Sequence, residues 1–97
     1  MTSTINSHIK SYKIIISGKV QGVYYRVSVK NSALNSNYKG YVKNLPDRTV
    51  EACVSCLELE LPSFIEILQA GSKSSNVTDI QQSECNEIFA NPFEVRW

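Results

Sequence analysis

The chain has a single histidine, His8, and only three cysteines, Cys53, Cys56 and Cys85. With so few soft ligands, nothing completes a zinc site around the Cys53-x-x-Cys56 spacing. That spacing falls in a strand-like segment, where an odd separation sends two side chains to opposite faces. Metal binding is therefore set aside, and no cofactor is expected. An odd, small cysteine count fits reduced thiols rather than a disulfide framework. No apolar run reaches the length of a membrane span. The opening Met1-Thr2-Ser3-Thr4-Ile5-Asn6-Ser7-His8 is polar and lacks the apolar stretch of a signal peptide. These absences predict a cytoplasmic protein with no membrane partner. A net charge of +1 gives no electrostatic case for nucleic acid.

What is present fits one soluble domain of 97 residues, with 42% hydrophobic and 20% charged content. Residues 1–10 are expected to form a loose tail, and 11–97 the domain. Residues 11–17 read as a strand with Tyr12, Ile14 and Ile16 on one face and Ile15 on the other. Residues 25–37 read as a helix. Tyr25, Val29 and Ala33 recur at four-residue intervals, and Asn37 can end it in the left-handed conformation. Residues 38–44 form a second strand, with Val42 and Asn44 on one face and Tyr41 and Lys43 on the other. A turn at Pro46 leads to a third strand over 50–56, whose inward face is Val50, Ala52, Val54 and Cys56. Leu61, Phe64, Ile65 and Leu68 mark a second helix over 59–70, with Pro62 in its first turn and Gly71 as its cap. Strands over 77–84 and 93–97 complete the chain. The order is β-α-β-β-α-β plus a short terminal strand. It predicts a ferredoxin-like α+β sandwich, two helices on one face of a mostly antiparallel sheet.

The chemistry concentrates at Gly18-Lys19-Val20-Gln21-Gly22-Val23-Tyr24-Tyr25-Arg26. A glycine-bearing loop between a strand and a helix can turn several backbone N–H groups toward one anion, backed by a guanidinium. Two glycines in a strand-to-helix turn also serve a tight turn alone, and this loop is neither a Walker motif nor a dinucleotide fingerprint. Asn44 adds a second piece. An amide on a core-facing position is costly unless satisfied. It either caps the turn around Pro46 or orients a water, accepting one hydrogen bond and donating another.

These residues resemble those of the acylphosphatase family. Gly18 to Arg26 is similar to its signature G-x-V-Q-G-V-x-[FY]-R at every fixed position. Gly40-Tyr41-Val42-Lys43-Asn44 is similar to a second, G-[FWY]-V-x-N. Val50-Glu51-Ala52, Phe64 to Leu68 and the closing Phe93 to Trp97 also resemble family sequence. The resemblance implies that Arg26 binds the substrate phosphate and that Asn44 positions the attacking water. It implies that the backbone amides of Val20, Gln21, Gly22, Val23, Tyr24 and Tyr25 wrap the phosphate oxygens. The implied reaction is cofactor-free hydrolysis of an acyl phosphate, a small-molecule substrate, to a carboxylate and inorganic phosphate by a monomer. The chain departs from the family at Arg48, Cys56, Val29 and Ser36. Arg48 stands where a turn glycine is usual and is expected to weaken the hairpin.

Two other functions fit the same scaffold. One is a catalytically weak domain that binds phosphate or a carbamoyl-phosphate-like ligand. The other is RNA binding, which needs strand aromatics on a basic face. Residues 14–16 and 50–56 offer no such aromatic pair.

Overall fold

The computed structural model describes residues 8–96, so most of the expected N-terminal tail, residues 1–7, and Trp97 lie outside the described residues. The first strand, β1, spans Ile9–Lys19. It begins two residues before the expected domain start, because Ile9 and Lys10 pair with Leu57 and Cys56. Tyr12, Ile14 and Ile16 are buried on one face, as alternation predicts.

Helix α1, Tyr25–Asn35, buries the expected stripe of Tyr25, Val29 and Ala33. It ends two residues earlier than the sequence indicates. The Tyr38 N–H donates to the Ala33 carbonyl at 3.0 Å, and the Asn37 N–H to that of Leu34 at 3.1 Å. Asn37 sits at φ 63° to make this turn. That is a Schellman stop. It also takes Tyr38 out of the next strand, so β2 starts one residue late, at Lys39–Asn44. Gly40 in β2 has φ 143°, and a Cβ there would run into the Cys53 backbone.

Strand β3, Val50–Leu57, pairs antiparallel with both β2 and β1. Val50, Ala52, Val54 and Cys56 are buried in the main core, and Cys53 is buried on the opposite face. A 3₁₀ turn, Glu58–Glu60, replaces the expected first turn of the second helix. Glu60 Oε1 accepts the Leu57 N–H at 2.9 Å, so this segment caps rather than continues. Helix α2 then spans Leu61–Ala70 and buries Leu61, Phe64 and Leu68. Strand β4, Asn76–Cys85, and strand β5, Glu94–Arg96, follow.

The sheet order is β4-β1-β3-β2-β5. All pairs are antiparallel except β2 with β5, which is parallel. Both helices contribute to one core, against the face that carries Ile14, Val42 and Val54. The order also forces residues 86–93 to cross the sheet from one edge to the other. They do so on the face without helices, where Phe89 joins Tyr41 and Cys53 in a small second core. The Phe89 N–H donates to Ser55 Oγ at 2.7 Å, and Tyr41 meets the Phe89 ring edge-on at 5.5 Å. The Arg96 guanidinium stacks on the same Tyr41 ring at 4.1 Å. This covered face is where an RNA-binding sheet of this topology would need open aromatics.

The β2–β3 turn carries the strain expected of it. Arg48 adopts φ 75°, a left-handed conformation that costs a non-glycine residue about 1–2 kcal/mol. Glycine would recover part of that and lose some to unfolded-chain entropy, for a net gain of about 0.5–1 kcal/mol. Arg48→Gly should therefore raise the thermal midpoint by roughly 2–8 °C. Thermal unfolding followed by circular dichroism checks this; an unchanged or lower midpoint refutes it.

Candidate active site

The end of β1 and the loop that leads to α1 are shaped by three positive-φ residues: Gly18 at 124°, Gly22 at 72° and Tyr24 at 67°. Gly18 lies at a bulge in the β1–β4 pairing, with no room for a Cβ against the Asn76 carbonyl. Gly22 has open space around it, so glycine is needed there for conformation. Tyr24 is not glycine, yet it takes the left-handed conformation just before α1 while the residue is 73% exposed. Such a residue persists only where its surroundings hold it.

Three ties hold this loop, each from a distant element. Gln21 Nε2 donates to the Leu45 and Thr49 carbonyls, both at 2.9 Å. Ser72 Oγ, just after α2, donates to the Val23 carbonyl at 2.6 Å. The buried Tyr25 hydroxyl donates to the Leu68 carbonyl at 2.6 Å. Burial of that phenol pushes its pKa well above the usual tyrosine range.

Arg26 stands in the first turn of α1. Its Nη1 donates to the Arg96 carbonyl of β5 at 3.3 Å. Val20, Gly22, Tyr24, Tyr25, Arg26 and Val27 line a cavity of about 290 Å³ at this corner. Among the described residues, no side chain caps the start of α1, and its first turn holds no acidic group. Its positive end and the guanidinium thus act together on the same corner, an arrangement suited to an anion. A larger hollow of about 420 Å³ lies between α2 and β4, lined by Gln69, Val77, Thr78, Asp79 and Ile80. It offers no cation, and its one charged group is a carboxylate, so an anion would be repelled there.

Asn44 is the last residue of β2, opposite Val50. Its Oδ1 is enclosed and, among the described residues, has no hydrogen-bond partner. The amide therefore does not cap the Pro46 turn through that oxygen. The turn is closed by other groups: Leu45 N–H to the Thr49 carbonyl at 2.9 Å, and Asp47 Oδ1 accepting the Thr49 N–H at 3.0 Å. The Thr49 hydroxyl and N–H lower the Asp47 pKa below the usual carboxylate range.

Arg26 therefore shares one cavity with four of the expected loop residues, Val20, Gly22, Tyr24 and Tyr25. Asn44 does not line that cavity; it is joined to the loop through Gln21 and the turn. Gln21 and Val23 are loop members that face other elements, through a side chain and a carbonyl respectively. Sequence reasoning missed the Gln21 side chain and Ser72. A loop needing only backbone amides would not require a glutamine, and that was the available signal for the first. Ser72 carried none.

Comparison with known proteins agrees with this fold. The acylphosphatase family model matches residues 12–95. An acylphosphatase of Haloarcula marismortui is 34% identical over 91 residues, covering 94% of this chain and 99% of its own length. The crystal structure of acylphosphatase from Bacillus subtilis superposes with a TM-score of 0.83 at 35% identity, covering 93% of this chain and all of that one. Full-length HypF in its phosphate- and nucleotide-bound form superposes with a TM-score of 0.78 at 26% identity, but the match covers only 12% of that larger chain. A family model spanning nearly the whole domain, with relatives matched over almost their full length, places this chain in the acylphosphatase family.

Proposed function

We infer that this chain hydrolyses the carboxyl–phosphate bond of acyl phosphates, with Arg26 and Asn44 as its two key side chains. The observation that carries the reading is the enclosed Asn44 Oδ1, unpartnered among the described residues. A buried acceptor left empty costs about 1–3 kcal/mol. It is worth keeping where it accepts a hydrogen bond from the attacking water while the amide N–H₂ donates to a neighbouring oxygen.

The loop amides and Arg26 hold the phosphoryl oxygens and offset their charge. Water attacks phosphorus in line, and the P–O bond to the acyl group breaks. The carboxylate leaves with the bonding pair, and the proton lost by water goes to a phosphate oxygen. A carboxylate is a weak base, so it departs without a general acid. Positioning and charge stabilisation are what the protein must supply. No metal or cofactor enters this scheme. The three free thiols support a cytoplasmic setting.

Full-length relatives that are acylphosphatases favour turnover over the alternative of a weak, carbamoyl-phosphate-like binding domain. The test is phosphate release from benzoyl phosphate, compared with an aryl phosphate monoester of similar size. Fast hydrolysis of the anhydride alone is expected. Tight phosphate binding without turnover would overturn the reading.

A further inference from the structure

The phosphate loop and the turn that follows Asn44 are joined by one side chain. Both protons of the Gln21 amide are used, one on the Leu45 carbonyl and one on the Thr49 carbonyl, each at 2.9 Å. Two carbonyl acceptors identify the bridging atom as nitrogen. These acceptors open and close the turn, whose ends are themselves joined by Leu45 N–H to Thr49 O at 2.9 Å. Leu45 follows Asn44 directly, and Thr49 precedes Val50, the register partner of Asn44. The Gln21 side chain thus grips both ends of the turn, one next to Asn44 and the other next to its register partner Val50.

We propose that Gln21 is a positioning residue, whose side chain clamps the β2–β3 turn to the phosphate loop and fixes Asn44 relative to the bound phosphoryl group. This role is distinct from the one its backbone amide has in the loop, and it rests on the hydrolytic reading of Asn44. The other side-chain hydrogen bonds seen at the loop end on other elements, the Arg26 bond on β5, which pairs with β2 at Lys43. Ser72 holds Val23, Tyr25 holds Leu68, and Arg26 reaches Arg96. Removing the Gln21 donors therefore leaves the phosphate cradle anchored and loosens the registry between cradle and water. Misplacing a reacting group by about 1 Å can cost a hundredfold in rate.

Gln21→Met keeps the length and bulk of the side chain and removes both donors. It should lower kcat for benzoyl phosphate by roughly 10–100-fold, with KM and the competitive inhibition constant of inorganic phosphate within about threefold of wild type. In an Asn44→Ala background the same change should leave the residual kcat within about twofold, because the group being positioned is already gone. Three results would overturn the clamp: an unchanged kcat in Gln21→Met, an equal loss in both backgrounds, or phosphate affinity falling in parallel with kcat. Full activity in Asn44→Ala alone would instead strike at the role given to Asn44 in hydrolysis, so the two failures are distinguishable.

Discussion

Arg26→Ala should lower kcat/KM for benzoyl phosphate by about a thousandfold or more and weaken inorganic phosphate binding with it. The guanidinium lines the cavity formed by the loop and the start of α1, and in the proposed mechanism it meets the phosphoryl group both before and during transfer. Its loss therefore affects ground-state binding and the transition state together. Arg26→Lys should recover only part of the rate. An ammonium restores the charge but not the planar pair of donors that matches two phosphate oxygens. Steady-state kinetics and phosphate titration check both variants, with circular dichroism confirming the fold, since the bond to the Arg96 carbonyl is lost as well. Retention of wild-type phosphate affinity in Arg26→Ala would refute the assignment.

Asn44→Ala should behave differently in two measurable respects. Its kcat should fall by about 10²–10³-fold, the scale on which a single well-aimed polar group at a transition state is felt. Phosphate affinity should stay close to wild type, because in the proposed mechanism the amide acts on water rather than on the phosphoryl oxygens. Stability should hold or rise, since the truncation deletes an enclosed acceptor that is unpartnered among the described residues. A structural asparagine would give the reverse pattern, a lower thermal midpoint with activity retained in the folded fraction. Loss of activity with a preserved or higher midpoint thus separates the two roles of Asn44 within one variant.

Much of this architecture was legible in the residues because it depends on local periodicity. The Tyr25, Val29 and Ala33 stripe and the alternating inner face of β3 are such patterns, and both are buried as expected. Arg26 and Asn44 stood out for a different reason, the match to two short motifs in register. What escaped was non-local. The parallel pairing of β5 with β2 joins Tyr41 to Glu94 across more than half the chain. The crossing of residues 86–93 has no period of its own, so Phe89 gave no hint that it covers Tyr41. The Gln21 bridge spans 24 and 28 residues to its acceptors. Element ends slipped where a side chain or a left-handed residue ended a pattern early, as Glu60 does before α2 and Asn37 does after α1.

The two thiols of β3 lie on opposite faces of the middle strand of the sheet. Burial raises the pKa of Cys53 above the usual thiol range and pushes that of Cys56 up to about 11. The thiolate is the species that reacts with alkylating reagents, so both are quiet while the sheet is closed, whereas the half-buried Cys85 remains within reach. Exposing Cys56 requires the helices to lift from the sheet, and exposing Cys53 requires the 86–93 crossing to lift. The chain therefore carries its own unfolding clock: Cys85 modification marks the native surface, and the slower loss of Cys53 and Cys56 times the opening of the layer over each face of the sheet.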